Sequence, residues 1–260
     1  MGMVNPYVVS VAREFWSASG VSPEPPYDIS GAVSLIFPID IVQLSELSTG
    51  KIDQWFASKN INIQTHVKDR YLHGFVVFSQ GSGFMFIDGT DDEQERRYTV
   101  AHEISHFLLD YKIPRDRIIK KLGKAVEEVL DGIREPTPTE MIEGIIKHVA
   151  VKPFTHLLEK EGDGSFQSLQ IYHSENNADA LALELLAPAN LLKVETLKGK
   201  RKLSFADFYK ACRELTENRY KLPSRIADEY AKQLAYKMTG GTSIIDKLGF
   251  SCRTFRKATE

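Results

Sequence analysis

Two histidines and a glutamate stand at a spacing typical of a catalytic metal site. Residues 102–106 read His-Glu-Ile-Ser-His, which is the H-E-x-x-H pattern. Because residues four apart share one face of a helix, His102 and His106 can direct two imidazole nitrogens at one ion, with Glu103 beside them. Imidazole suits zinc, although other divalent metals accept it too. The alternative is two histidines that share a helix and bind no metal.

A catalytic zinc takes three protein ligands and keeps a fourth position for water, so one ligand has to come from elsewhere. Glu175 and Asp179 lie four apart in a segment predicted to be a helix with Ser174 as its N-cap. We predict that Glu175 is the third ligand and that Asp179 accepts the free N–H of a ligand histidine. The alternative stays open that both are first-turn acids favoured only by the helix dipole.

A site that hydrolyses an amide also needs a hydrogen-bond donor for the oxyanion that develops on the carbonyl oxygen. His173 is the candidate closest in sequence to Glu175, and we predict it as that donor. The other residues considered are Tyr172, His148 and His156 as weaker candidates, with His66 and His73 expected to be structural.

The motif is predicted to lie on a helix that follows a β-hairpin. Residues 90–93 have the form of a capping box, and Pro114 is predicted to end the helix. Ahead of it, two apolar stretches at 74–78 and 84–87 flank a glycine-rich turn and predict the hairpin. An exposed edge of this hairpin could pair with an extended peptide, and a covered edge is the alternative.

Hydrophobic periodicity predicts the remaining elements. Before the hairpin these are helices over 7–17, about 37–47 and 52–58, and a strand over 61–67. After the motif they are helices over 115–133 and 140–151, continued by 154–158, a loop at 161–165, a helix from 174 to Pro188, helices over 204–218 and 224–238, and a basic tail at 253–257.

Composition describes a globular chain with room for a substantial core. It has 260 residues, 42% hydrophobic and 26% charged, with a net charge of -2. This charge disfavours bulk attraction to nucleic acid or anionic lipid. No apolar run reaches membrane-spanning length and no leader pattern is apparent, so we expect a cytoplasmic protein. Cys212 and Cys252 are expected to be reduced thiols.

Two segments carry a resemblance to a known family. Residues 97–106, Arg-Tyr-Thr-Val-Ala-His-Glu-Ile-Ser-His, are similar to R-(F/Y)-T-(L/I)-A-H-E-(L/I)-(G/A)-H. Residues 175–188 are similar to E-x-x-A-(N/D)-x-F-A-x-x-L-L-M-P, with Leu181 in place of Phe and Ala187 in place of Met. With both segments, the chain resembles the ImmA/IrrE family of bacterial and phage metallopeptidases over roughly residues 30–192.

The resemblance implies an α+β fold, in which a mostly helical, zincin-like core carries a small antiparallel sheet and additional C-terminal helices. It implies zinc bound by His102, His106 and Glu175. Family members typically cleave a helix-turn-helix repressor and so release a stress-response, mobile-element or phage gene set. By this resemblance the chain is a zinc-dependent endopeptidase whose partner is such a repressor.

The chain departs from the family pattern in one respect. Glu175 follows His106 by 69 residues, whereas relatives usually use a few tens. We therefore predict a metallopeptidase domain at 1–192 with a helical insertion at about 113–172, followed by a C-terminal helical region at 193–260.

Two other classes of protein compete with the peptidase. One is a metal-stabilised regulatory or antitoxin-like binding protein without hydrolysis; the presence of Glu103 argues against it, since a structural site does not need that carboxylate. The other is a DNA-binding regulator, because residues 222–224 resemble the turn of a helix-turn-helix. The mixed charges of the flanking helices disfavour direct nucleic-acid binding.

Overall fold

The computed structural model describes residues 5–21, 24–65, 68–79, 81–138, 140, 154–159, 169–199 and 201–240. The predicted α+β class is confirmed. The strands are β1 Ile39–Leu44, β2 Leu72–Ser79, β3 Ser82–Asp88 and β4 Phe154–Glu159. The helices are α1 Pro6–Ser19, α2 Ile29–Ile36, α3 Thr49–Ser58, α4 Glu93–His106, α5 Ile113–Leu122, α6 Glu127–Leu130, α7 Leu169–Leu186, α8 Ala189–Leu197, α9 Phe205–Asn218 and α10 Ser224–Thr239.

The strands form one small sheet in the order β1-β3-β2-β4. The predicted hairpin is present as β2 and β3, and β4 pairs antiparallel with the other side of β2. Because β1 runs parallel to β3, the sheet is mixed and not wholly antiparallel. Both edges of the hairpin are covered, that of β2 by β4 and that of β3 by β1, as in the alternative of a covered edge.

The two faces of the sheet pack against different helices, because successive side chains of a strand point to opposite faces. Val76 and Phe154 join the main core together with residues of α1, α4, α7, α9 and α10. Phe75 and Val77 point the other way and pack with Phe56 of α3 in a second cluster. Helix α4 therefore lies on the face of β2 and β4 that Val76 and Phe154 share.

Helix α4 begins two residues later than the predicted capping box. The side chain of Asp92 accepts from the N–H of Glu95 and is the N-cap. Thr90 does not cap the helix, because its N–H and its hydroxyl both donate to Asp88 Oδ1, at 2.8 and 2.7 Å. The predicted cap was wrong because the buried carboxylate at the end of β3 takes the hydroxyl of Thr90.

The prediction that Pro114 ends the motif helix was also wrong. A π-helical turn over Phe107–Lys112 follows α4 and leads directly into α5, and Ile113 has helical φ and ψ of -66° and -46°. Pro114 lies in the first turn of α5, where its missing N–H is not required. Wide turns of this kind are frequent at functional sites.

Three short segments differ from their predicted structure. Residues 39–44 form strand β1, not part of a helix over 37–47, and residues 61–65 have no regular structure where a strand was expected. Residues 154–159 form β4 and do not continue a helix. Short apolar runs carry too few turns for periodicity to separate helix from strand, so pairing with β2 and β3 decides.

Several predictions lie outside the described residues. They are His66, His148, Cys252, most of the helix over 140–151, the loop at 161–165 and the basic tail at 253–257.

The predicted C-terminal helices are present as α9 and α10, and they share the main core with the motif helix. Phe208 of α9 and Tyr230 of α10 are buried in the cluster that also contains Ala101 and Ile104 of α4. The guanidinium of Arg97 donates to the carbonyl oxygens of Tyr27, Tyr220 and Lys221.

The division at residue 192 stays a prediction. In the described part of the chain no helix combines the length and the apolar character that crossing a bilayer requires.

Candidate metal centre

The imidazole rings of His102 and His106 are buried on α4, and a carboxylate holds each ring. His102 Nδ1 lies 3.0 Å from Asp179 Oδ1, and His106 Nδ1 lies 2.7 Å from Asp110 Oδ2. Since an ionised carboxylate only accepts hydrogen bonds, each Nδ1 carries a hydrogen, which leaves Nε2 as the nitrogen of each ring that can bind an ion when it is unprotonated. Sequence analysis missed Asp110, although its i+4 spacing from His106 on one helix would have indicated it.

Helix α7 brings Glu175 to the free nitrogens of both rings. Its Oε2 lies 3.5 Å from His102 Nε2 and 3.5 Å from His106 Nε2. Two ligands of one tetrahedral ion, bound at about 2.0–2.1 Å, stand roughly 3.4 Å apart. Both Nε2 atoms are buried and have no hydrogen-bond partner among the described residues, which is rare for native polar groups. These three atoms therefore fit one metal ion.

Glu175 and Asp179 lie inside α7 and not in its first turn. The helix includes Leu169, five residues before the predicted N-cap Ser174, so the dipole alternative loses its basis. The hydroxyl of Ser174 donates instead to Asp110 Oδ2 at 2.7 Å. Buried Ala178 permits the close approach of α7 to α4 that this geometry needs.

Glu103 is fully buried between strand β2 and a histidine of β4. Its Oε2 lies 3.0 Å from His156 Nδ1, while Oε1 has no hydrogen-bond partner in the described structure. Burial alone would raise the pKa of Glu103, but His156, His102 and His106 together hold it below its usual value. Glu103 is therefore ionised and able to take a proton.

His156 is the residue of the site that sequence analysis ranked too low. It joins His102, His106 and Glu175 in a group whose ligand atoms all lie within 4.8 Å of one another. The side chain of His173, the predicted donor, is exposed on α7, and its role stays a prediction. Alternation along β4, with buried Phe154 two residues before His156, was the available signal.

The charges of the group favour a bound cation. Burial lowers the pKa of His102, yet hydrogen bonds to Asp179 and Glu175 raise it to about 9. Burial likewise opposes the charge of His156, but Glu103 and Glu175 raise its pKa to about 10. The negative charge of the carboxylates thus stabilises protons on these imidazole rings more than burial disfavours them. A bound metal ion would supply the same positive charge in place of those protons.

A cleft of about 390 Å³ opens beside the metal centre. His102, Glu175 and Asp179 line it together with Arg225 and Glu229 of α10. The C-terminal helix therefore forms a wall of the space next to the site, where a bound molecule would meet polar and charged side chains.

A known protein family has a model that matches the part of the chain containing the H-E-x-x-H motif. Residues 57–129 match the model of the Peptidase_M78 family, described as an IrrE N-terminal-like domain. The match confirms the resemblance to the ImmA/IrrE metallopeptidases and includes His102, Glu103 and His106, but it ends before His156 and Glu175. No curated protein matches the chain.

Proposed function

From this family match, we propose that the chain is a zinc-dependent endopeptidase that hydrolyses a protein substrate. The observation that carries the proposal is the meeting of His102 Nε2, His106 Nε2 and Glu175 Oε2 at distances suited to one ion. A buried, ionised Glu103 beside them supplies the base that hydrolysis needs and that a structural zinc site does not.

In this proposal the residues of the centre bind the zinc, transfer a proton or orient the ligand rings. His102, His106 and Glu175 would hold the zinc, which when bound lowers the pKa of a water to about 7 and polarises the scissile carbonyl. Glu103 takes the proton of the attacking water and passes it to the leaving amine nitrogen. Asp179 and Asp110 keep the two imidazole rings in orientation and tautomer.

We propose a helix-turn-helix transcriptional repressor as the substrate. The sequence resemblance to the ImmA/IrrE family supports this choice, and the cleft beside the centre offers space for side chains of a polypeptide. Such a repressor acts on DNA inside the cell, so the proposal places the enzyme in the cytoplasm. Its cleavage would release a stress-response or mobile-element gene set.

Metal removal tests the proposal. The protein is incubated with the helix-turn-helix repressor encoded beside its gene and with labelled casein, and the fragments are identified by mass analysis. We expect cleavage with zinc, none after treatment with 1,10-phenanthroline, and recovery when zinc is restored. Fragments that form regardless of the chelator would contradict a metal mechanism. Zinc binding that raises the melting temperature without any cleavage would identify a metal-stabilised binding protein instead.

Gly74 of β2 is expected to be required for the position of Glu103. A Cβ at this residue would lie 2.6 Å from Thr99 Cγ2 and 2.9 Å from Glu103 Oε1. Gly74→Ala should therefore displace the carboxylate and lower kcat by about 10–100-fold, because displacements near 1 Å cost about that much. Zinc affinity should stay within about threefold, as measured by competition with a fluorescent chelator.

Gly89→Ala is the matched control, since its added Cβ would meet no atom closer than 3.7 Å. It should leave kcat within about twofold, because contacts at that distance are ordinary and cost little. Equal activity of the Gly74→Ala variant and the wild type would show that Glu103 tolerates the methyl group.

A further inference from the structure

We propose that His156, carried by strand β4 of the insertion, is a positioning residue that orients Glu103. Strand β4, which lies between the end of the family match and α7, would then complete the catalytic centre. This inference rests on the proposed peptidase function and extends it to a residue outside the matched region.

Strand register places His156 over the motif helix. β4 pairs antiparallel with β2, and His156 is opposite Val76. Directly opposite residues of paired strands point to the same face, so His156 shares the face of Val76 and Gly74. Helix α4 packs on this face, and Gly74 lies against Glu103. The pairing of β4 with β2 is therefore what delivers the imidazole to the carboxylate.

Ring geometry argues against His156 as a fourth ligand. The rings of His156 and His106 are stacked, with centroids 3.6 Å apart and planes 17° from parallel. The lone pair of an imidazole nitrogen lies in the ring plane, so a bound ion lies in that plane too. An ion in the plane of His106 is then roughly a stacking distance, about 3.5 Å, out of the plane of His156. The two rings cannot share one ion in this arrangement.

The contact of His156 with Glu103 has the geometry of an orienting hydrogen bond. Nδ1 lies 3.0 Å from Oε2, and an imidazole that carries a hydrogen on Nδ1 can donate it to this oxygen. Holding Oε2 leaves Oε1 as the oxygen of Glu103 that has no partner among the described residues. In this proposal Oε1 is the oxygen that would accept the proton of a water. Without the imidazole, the carboxylate is free to rotate about its last torsion.

Paired substitutions separate the two nitrogens of the ring. The amide nitrogen of Asn falls near Nδ1 of the histidine it replaces, whereas that of Gln falls near Nε2. We expect His156→Ala and His156→Gln to lower kcat by about 10–100-fold, the usual cost of losing an orienting partner. His156→Asn should recover kcat to within about threefold of wild type. KM should change little in all three variants, since none removes a substrate contact.

Zinc affinity is the second readout and does not depend on activity. His156 Nε2 also lies 3.3 Å from Glu175 Oε1, so competition with a fluorescent chelator should show a loss of zinc affinity of at most about 10–100-fold in the three variants, the usual cost of losing an outer partner of a ligand. A loss well above about 100-fold in His156→Ala would make His156 a ligand and overturn the inference. Recovery by Gln and not by Asn would do the same, because it would assign the role to Nε2.

The inference and the proposed function fail in different ways. A zinc-loaded wild type that cleaves neither the repressor nor labelled casein removes the proposed function and the inference with it. A wild type that cleaves, together with a His156→Ala variant of equal kcat, removes the inference alone. Because Asn and Gln are both polar and of similar size to His, their comparison holds even if the Ala variant folds poorly.

Discussion

Glu103→Gln is expected to abolish most hydrolysis and to leave zinc binding almost unchanged. The amide has the shape of the carboxylate but cannot take a proton from water, and general-base catalysis contributes about 10²–10⁴-fold to such reactions. We expect kcat/KM to fall by that factor. Glu103 lies beside the proposed ligands but supplies none of the three atoms that fit the ion. The zinc affinity of the variant should therefore stay within about threefold of wild type.

Three measurements check this prediction: the cleavage rate, the zinc affinity from chelator competition, and the melting temperature. Glu14→Gln is the control, since Glu14 is an exposed residue of α1 and the same chemical change there should affect none of the three. The peptidase proposal fails if the Glu103→Gln variant holds zinc and still cleaves the substrate at the wild-type rate.

Glu175→Ala is expected to cause the largest loss of zinc affinity. Losing a partner that orients a ligand typically costs 10–100-fold, and removing a ligand itself should cost more than about 100-fold. Asp179→Asn should fall within the smaller range, because it removes no ligand and weakens only contacts that orient one, those of Asp179 with His102 Nδ1 and with the Tyr98 hydroxyl. At limiting zinc, the cleavage rate should fall more in the Glu175→Ala variant than in the Asp179→Asn variant.

Stability in the presence of zinc provides an independent measurement. A ligand present at 100 times its dissociation constant stabilises the folded state by about 2.7 kcal/mol, so the Glu175→Ala variant should lose about that much zinc-dependent stabilisation. Asn177→Ala is a suitable control, because Asn177 is an exposed neighbour on the same helix. Wild-type zinc affinity in Glu175→Ala would mean that another residue supplies the third ligand.

The centre combines one segment that matches a known family with two that lie outside the match. Helix α4 contributes His102, Glu103 and His106 from within residues 57–129. Strand β4 and helix α7 contribute His156 and Glu175 from beyond it. Within the range of about 113–172 that was predicted as a helical insertion, residues 154–159 form a strand of the sheet, and His156 of this strand lies 3.0 Å from Glu103.

The sequence by itself determined the features that depend on local spacing. The i, i+4 pair of His102 and His106, the hairpin and the two C-terminal helices follow from helical periodicity, strand alternation and turn residues. The family resemblance rests on the two motif segments at 97–106 and 175–188, and the α+β class was expected from that resemblance. Glu175 was also predicted locally, from its place beside Asp179 on one face of a helix.

Only the tertiary structure decided the features that depend on contacts between distant segments. β1 and β4 are strands because β3 and β2 pair with them, and neither partner is visible in a window of a few residues. His156 reaches Glu103 through that pairing, and Ser174 binds Asp110 through the packing of α7 on α4. Local propensities differ by less than the energy of such contacts, so long-range packing selects the final state.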